Sequence, residues 1–161
     1  MKKIKNIIKK KNKSKIVCLT AYSKNIAQEI DKYADIVLVG DSLGSVLYNY
    51  STTRKVTLSE MINHSKSVRQ GIKKSLMVVD MPYKTYETNF SALKNAKKIV
   101  KETKCDAVKL EGGKKIIKQI KFLIKDFICL ITFLPPSNLT ASQFVFFKTF
   151  LAFFNAEAVV S

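Results

Sequence analysis

Acidic residues stand at the ends of three short apolar runs in the sequence. They are Asp41, Asp80 and Glu111, after runs that begin at residues 36, 76 and 107. Valine-, isoleucine- and leucine-rich runs of this length are typical of strands buried on both faces of a parallel sheet. Because ligands bind at the carboxyl ends of such strands, we expect the three carboxylates to meet at one edge of the sheet.

The residue types at this edge favour one kind of chemistry. Carboxylates without a neighbouring histidine or cysteine suit a hard cation such as Mg²⁺ rather than zinc. Lys109 lies two residues before Glu111, so both side chains share one face of the same predicted strand. A lysine inside an apolar strand needs compensation, from Glu111 or from a bound anion. A metal beside an ammonium predicts a pocket for a small keto acid, whose carbonyl the metal would polarise as a Lewis acid.

Each of these residues also has a structural interpretation. An aspartate that ends a strand can serve only as a turn or helix-cap residue. Lys109 could form a structural ion pair with Glu111, or could act as a Schiff-base lysine. His64, the single histidine, falls on the polar side of a predicted helix. We expect His64 to be a surface or hydrogen-bonding residue rather than a catalyst.

The elements that must position these residues alternate between strands and helices. Strands are predicted to start near residues 16, 36, 76, 107 and 127, with helices between them. The strongest helix signal begins at Thr57, where Glu60 completes a capping box. The polar and aromatic segment 41–56 is expected to be a long functional loop. The helix after Gly112 is expected to turn inward Ile116, Ile117, Ile120, Leu123 and Ile124. This alternation predicts an α/β fold with a parallel sheet.

Composition limits the possible classes of protein. A chain of 161 residues suits one domain but is short for a closed eight-stranded barrel of about 250 residues. The net charge of +17 comes almost entirely from lysine, and it indicates either a polyanion partner or a lysine-rich surface. With so few arginines, nucleic-acid binding is not favoured. The apolar C-terminal stretch is too short and interrupted to span a bilayer, so no membrane association is predicted.

Cysteine usage and the N-terminus favour a cytoplasmic protein. Cys18, Cys105 and Cys129 have no metal-type spacing, and we expect buried free thiols in a reducing compartment. The basic N-terminus is not followed by the apolar segment of a secretory signal.

Several short motifs follow one another in a fixed order. They are TAY at 20–22, VGDSLG at 39–44, VTL at 56–58, VDMP at 79–82 and VKLEGG at 108–113. Together with His64, they resemble the ketopantoate hydroxymethyltransferase (3-methyl-2-oxobutanoate hydroxymethyltransferase) family. The resemblance covers about residues 16–129. The GDSLG and VKLEGG motifs are specific in combination, although neither would be so alone.

The resemblance implies a partial TIM (β/α)8 barrel of the phosphoenolpyruvate-binding type, with about five βα units. It also implies a Mg²⁺-dependent homo-oligomer in pantothenate synthesis. This enzyme would transfer a hydroxymethyl group from methylenetetrahydrofolate to 3-methyl-2-oxobutanoate, giving 2-dehydropantoate. By position, Asp41 and Asp80 would bind the metal, with Glu111 as the third carboxylate. Ser42 and Lys109 would contact the keto acid, which Asp41 and Asp80 would border.

The chain departs from the family pattern at several points. Ser23 stands where members usually have aspartate, and the loop 51–55 differs. After Cys129 the sequence reads LITFLPPS, where the family has a Gly-His-x-Gly segment. The general-base glutamate of the family lies on a later strand, so no catalytic base is assigned here. We hypothesise a frameshift or truncation near codon 130, which sequencing of the locus tests, and expect weak or absent turnover.

The sequence divides into three predicted segments. Residues 1–15 form a lysine-rich N-terminal arm, either a short amphipathic helix or a frayed chain; residues 16–136 form the partial barrel; residues 137–161 form an aberrant apolar tail. Two other functions stay open at this point. One is another Mg²⁺-dependent keto-acid lyase or mutase barrel. The other is a basic protein that binds nucleic acid or anionic lipid, which salt-dependent retention on DNA would favour.

Overall fold

A computed structural model describes residues 2–10, 13–126 and 130–133 of the chain. Within these residues, five parallel strands form one sheet in which each strand is hydrogen-bonded to its neighbours in sequence. The strands are β1 (Cys18–Thr20), β2 (Ile36–Val39), β3 (Leu76–Asp80), β4 (Ala107–Glu111) and β5 (Leu130–Phe133). This confirms the predicted parallel sheet, whose consecutive order is the winding of a β/α barrel.

One helix precedes the first described strand, and the helices after that strand cover one face of the sheet. The helices are α1 (Lys2–Lys10), α2 (Lys24–Ile30), α3 (Leu43–Tyr48), α4 (Leu58–Gly71), α5 (Asn89–Thr103) and α6 (Ile117–Lys125). Two 3-10 turns, Thr53–Lys55 and Gly113–Ile116, precede α4 and α6. Successive connecting helices pack side by side, α2 on α4, α4 on α5 and α5 on α6.

The capping box predicted at the start of α4 is confirmed. Glu60 N donates to Thr57 Oγ1 over 3.2 Å, while Thr57 N donates to Glu60 Oε2 over 2.6 Å. The apolar stripe behind it is buried, with Met61 and Val68 fully enclosed. This helix therefore forms where local sequence and packing agree.

The segment 41–56 is not the continuous loop that the sequence predicts. It contains α3 and the turn Thr53–Lys55. Leu43 is fully buried, and a Cβ added at Gly44 would lie 2.5 Å from Val56 Cγ2. A helix of six residues is too short to show a hydrophobic period, so only its packing reveals it.

Other boundaries also differ from the prediction. The first strand begins at Cys18 rather than near residue 16. In α6, Ile120 and Leu123 are buried but Ile124 is 42% exposed, because one further residue turns the helix by about 100° away from the sheet. Residues 127–129 of the predicted fifth strand and the predicted tail 137–161 lie outside the described residues.

Side chains along the strands alternate between two apolar clusters. The cluster beneath the helices includes Val37, Val39, Met77, Val79, Val108 and Leu110. The cluster on the opposite face of the sheet includes Ile36, Leu76, Val78 and Ala107. Because successive side chains of a strand point to opposite faces, Asp80 and Lys109 lie on the same face as the second cluster, at the carboxyl ends of β3 and β4.

The N-terminal segment is a helix that contributes to this second cluster. Ile7 of α1 is buried against it. Lys3 Nζ donates to Ser75 O over 2.8 Å, and Lys10 Nζ contacts Asp35 Oδ1 at 2.5 Å. Of the two alternatives for this segment, the structure shows the amphipathic helix. Among the described residues, no helix is both long and apolar enough to cross a membrane.

Candidate functional site

A buried ion pair joins the ends of β3 and β4. Asp80 and Lys109 are register partners, so their side chains extend side by side from the same face of the sheet. Lys109 Nζ lies 2.7 Å from Asp80 Oδ1 and 2.8 Å from Oδ2. Asp80 is 3% exposed and Lys109 6%. The ammonium of Lys109 also donates to Glu111 Oε1. The buried positive charge of Lys109, predicted to need a compensating group, is therefore balanced by two carboxylates.

Burial controls the protonation of this pair. It raises the pKa of the Asp80 carboxyl to about 7, although the nearby Lys109 ammonium opposes the rise. Burial also disfavours the charge on Lys109, but the attraction of Asp80 and Glu111 outweighs it and raises the pKa of the ammonium. Lys109 is therefore the permanent positive charge of the site, and Asp80 is the group that titrates near neutrality.

A cavity of about 600 Å³ opens at the carboxyl ends of the strands. Asp41, Asp80 and Glu111 line it together, as the sequence predicted from their positions after three strands. Lys109 lies next to the cavity, between Asp80 and Glu111. Glu111 is exposed, whereas Asp80 is enclosed at the base of this acidic group.

Ser42 lies beside the same acidic group through the turn that follows β2. A Cβ added at Gly40 would lie 3.1 Å from Ser42 Oγ and 3.6 Å from Asp80 Oδ2, so both groups flank this glycine. Asp41 N donates to Asp80 Oδ2 over 3.3 Å, which ties the turn to β3. The absence of a side chain at residue 40 thus lets the two strand ends approach each other.

The carboxylate oxygens are the donor type that Mg²⁺ prefers. Within the described ranges, no three histidine, cysteine or acidic side chains form a group that could hold a metal ion. Magnesium usually takes one or two carboxylates and completes its shell with water and substrate oxygens. Asp41 and Asp80, which line the same cavity, would supply that number of carboxylates, and the metal-binding role of Asp41, Asp80 and Glu111 stays a prediction.

Sequence reasoning missed the cationic and aromatic wall of the cavity. Arg54, Tyr83, Lys84 and Lys115 also line it. Arg54 Cζ lies 4.9 Å from the centre of the Tyr83 ring, a cation–π distance. These residues come from connecting segments. Their one sequence signal is that each lies between a strand and the next long helix, in segments where binding residues are common.

Cys18 and Cys105 are both free thiols. The predicted burial is confirmed for Cys105, whereas Cys18 is only partly buried and Cys129 lies outside the described residues. Burial raises the pKa of Cys105 to about 11 and that of Cys18 to about 12. Neither thiol has the low pKa of a catalytic cysteine.

Most of the chain matches the sequence model of one known family. The family model described as ketopantoate hydroxymethyltransferase matches residues 1–144. The chain belongs to this family. The 3-methyl-2-oxobutanoate hydroxymethyltransferase of Pelagibacter ubique (strain HTCC1062) is 64% identical over 145 residues, which cover 90% of this chain and 56% of the relative.

Other ketopantoate hydroxymethyltransferase family members show the same pattern of coverage. The 3-methyl-2-oxobutanoate hydroxymethyltransferase of Chelativorans sp. (strain BNC1) is 50% identical over 119 residues, or 73% of this chain and 42% of the relative. The chain therefore spans about half the length of the curated relatives it matches.

Solved structures show the fold of this family member. A 2,3-dimethylmalate lyase, described as a PEP mutase/isocitrate lyase superfamily member, aligns with a TM-score of 0.61 and 8% identity over 98% of this chain and 57% of the other. An oxaloacetate acetylhydrolase aligns with a TM-score of 0.59 and 9% identity over 81% and 50%. The likeness concerns the fold alone, and with the consecutive parallel sheet it confirms the predicted partial β/α barrel.

Proposed function

We propose that this chain provides the keto-acid and metal half of a 3-methyl-2-oxobutanoate hydroxymethyltransferase. The reaction transfers a hydroxymethyl group from methylenetetrahydrofolate to 3-methyl-2-oxobutanoate and gives 2-dehydropantoate, a step of pantothenate synthesis. Membership of the family and the activity for which the relatives are named support this proposal. The observation that carries it is the buried Asp80–Lys109 pair beneath a cavity that Asp41 and Glu111 also line.

In this proposal, Asp41 and Asp80 hold Mg²⁺, with Glu111 as a third carboxylate. The ion supplies Lewis-acid polarisation of the substrate carbonyl when it is bound. Lys109 holds the Asp80 carboxylate in one orientation through two hydrogen bonds and supplies positive charge beside the anionic substrate. Ser42 donates a hydrogen bond to the keto acid. The residue that removes the proton from the carbon beside the carbonyl is not assigned to this chain.

The folate, the assembly and the compartment are also part of the proposal. Methylenetetrahydrofolate is the one-carbon donor, and the protein works as a homo-oligomer in the cytoplasm. A basic protein that binds nucleic acid is less well supported, because α1 uses Lys3 and Lys10 to contact Ser75 and Asp35 of its own chain. Family membership also favours the transferase over a lyase or mutase.

Calorimetric titration of the purified chain with 3-methyl-2-oxobutanoate, with and without Mg²⁺, tests this function. We expect binding that requires Mg²⁺ in the wild type and is lost in Asp80→Ala and Lys109→Met. Lys66→Met is the matched control, since Lys66 is paired with Glu102 on the outer helices, away from the cavity. Circular dichroism shows that each variant is folded. Equal affinity in the wild type and both site variants would refute the proposal.

A further inference from the structure

Hydrogen bonds connect both ends of α3 to one residue of α4. His64 Nδ1 lies 2.8 Å from the backbone oxygen of Tyr22, and His64 Nε2 lies 2.7 Å from Tyr48 Oη. Tyr22 Oη in turn lies 2.7 Å from Ser42 Oγ. Ser42 directly precedes α3, and Tyr48 is its last residue. The contacts therefore close a ring through His64, Tyr22, Ser42, the helix and Tyr48, which we call the His64 ring.

The chemistry of the His64 ring assigns its hydrogens. A backbone carbonyl only accepts, so Nδ1 of His64 carries the hydrogen that it donates to Tyr22 O. In the neutral imidazole, Nε2 is then an acceptor and receives the hydroxyl hydrogen of Tyr48. The hydrogen bonds of the His64 ring therefore require one particular tautomer of the imidazole of His64, the single histidine in the protein.

The segment that the His64 ring holds needs tertiary contacts. Helix α3 has six residues, fewer than an isolated helix needs to be stable in water. Its outer side is exposed at Val46, Leu47 and Tyr48. Tyr22 is partly buried, and its ring packs against the core cluster beneath the helices. The position of Ser42 at the start of α3 thus depends on Tyr22 and, through it, on His64.

We propose that His64 and Tyr22 are positioning residues that hold the Ser42 hydroxyl toward the keto acid. The inference rests on the proposed function, because the contact between Ser42 and the keto acid is part of that function. When Tyr22 Oη donates to Ser42 Oγ, the hydrogen of Ser42 is directed to a substrate oxygen instead of to Tyr22. His64 acts one step further away, by fixing the Tyr22 backbone. A positioned donor binds more tightly than one that must be ordered on binding.

Affinity for 3-methyl-2-oxobutanoate in the presence of Mg²⁺ tests this inference. Tyr22→Phe and His64→Leu are each expected to raise the Kd by about fivefold, the size of one net hydrogen bond. His64→Asn, whose amide nitrogen can replace Nδ1 as donor to Tyr22 O, should restore most of the affinity. Tyr50→Phe is the matched control, because it removes a tyrosine hydroxyl that donates to Glu60 over 2.8 Å, outside the His64 ring.

Measurements on the ligand-free chain separate this inference from the function. We expect the ¹⁵N imidazole spectrum in mildly alkaline buffer to show the hydrogen on Nδ1. Amide hydrogen exchange within α3 should be faster in Tyr22→Phe and His64→Leu than in Tyr50→Phe.

The outcomes distinguish the two proposals. If the wild type binds the keto acid and every variant binds equally well, the inference is wrong and the function stands. If the wild type does not bind, the function fails, and the exchange rates then decide whether His64 and Tyr22 position Ser42. A hydrogen on Nε2, or exchange in α3 unchanged by Tyr22→Phe, would overturn the inference.

Discussion

Asp80 and Lys109 face each other across β3 and β4, and one ammonium contacts both oxygens of the carboxylate at 2.7 and 2.8 Å. Removing both charges from water is costly, and their mutual attraction offsets only part of the cost for Asp80. The pair therefore fixes two side chains at the base of the cavity and makes each one depend on the other.

Stability should depend on pH through Asp80. Burial raises the pKa of this carboxyl from 3.8 to about 7, so the folded protein binds more protons than the unfolded chain between these values. Its contribution to the free energy of unfolding is thus fully present below about pH 3.8 and is lost as the pH rises through about 7. Urea unfolding of the wild type and of Asp80→Asn across this range measures it. A difference between the two proteins that does not change with pH would contradict this assignment.

Asp31 should stabilise the connection between α4 and β3. It is 7% exposed, and its carboxylate accepts hydrogen bonds from the backbone nitrogens of Lys73, Lys74 and Ser75. Because an amide offers only one acceptor oxygen, Asp31→Asn should lower the free energy of unfolding by about 2 kcal/mol. Urea unfolding at neutral pH measures the loss. Asp126→Asn, which affects an outer pair with Lys97, is the control and should change stability by less than about 1 kcal/mol.

The same carboxyl predicts a second pH effect, of opposite sign to that of Asp80. Burial alone would raise the pKa of Asp31, but the backbone hydrogen bonds outweigh it and lower the pKa below 3.8. The stabilisation from Asp31 is therefore present above pH 3.8 and is lost as the pH falls through the lower pKa of the folded state. If Asp31→Asn were as stable as the wild type at neutral pH, these hydrogen bonds would not have the role assigned here.

Gly71 should be essential for the contact between α2 and α4. A Cβ at this position would meet the backbone oxygen of Lys24 and would lie 2.8 Å from Gln28 N and 2.9 Å from Ala27 Cβ. Gly71→Ala is therefore expected to lower the free energy of unfolding by about 2 kcal/mol through overpacking. Alanine has the higher helix propensity, which by itself would stabilise α4. Gln70→Ala, at the exposed neighbouring position, measures propensity alone, and an equally stable Gly71→Ala would show that the helices can separate at little cost.

Much of the fold could be predicted because local signals and tertiary packing agree. The apolar runs located β2, β3 and β4 closely, and the Thr57 capping box marked the first turn of α4. The errors fell where local signals are weak. Helix α3 is too short to show a hydrophobic period. Ile124 looks like part of the apolar stripe of α6 in the sequence, but the packing of Ile120 and Leu123 against the sheet turns Ile124 toward the outside.

That Asp41, Asp80 and Glu111 lie at strand ends could be read from the sequence alone, because apolar runs and their acidic ends are local features. The sequence did not determine which face of the sheet each side chain takes. All five residues of β3 are buried, so its pattern does not distinguish the two faces. The pairing of Lys109 with Asp80 as well as Glu111, and the contacts of His64 with Tyr22 and Tyr48, are visible only in the folded chain. Strand register and helix packing bring together residues that are distant along the chain, and those contacts depend on the whole core.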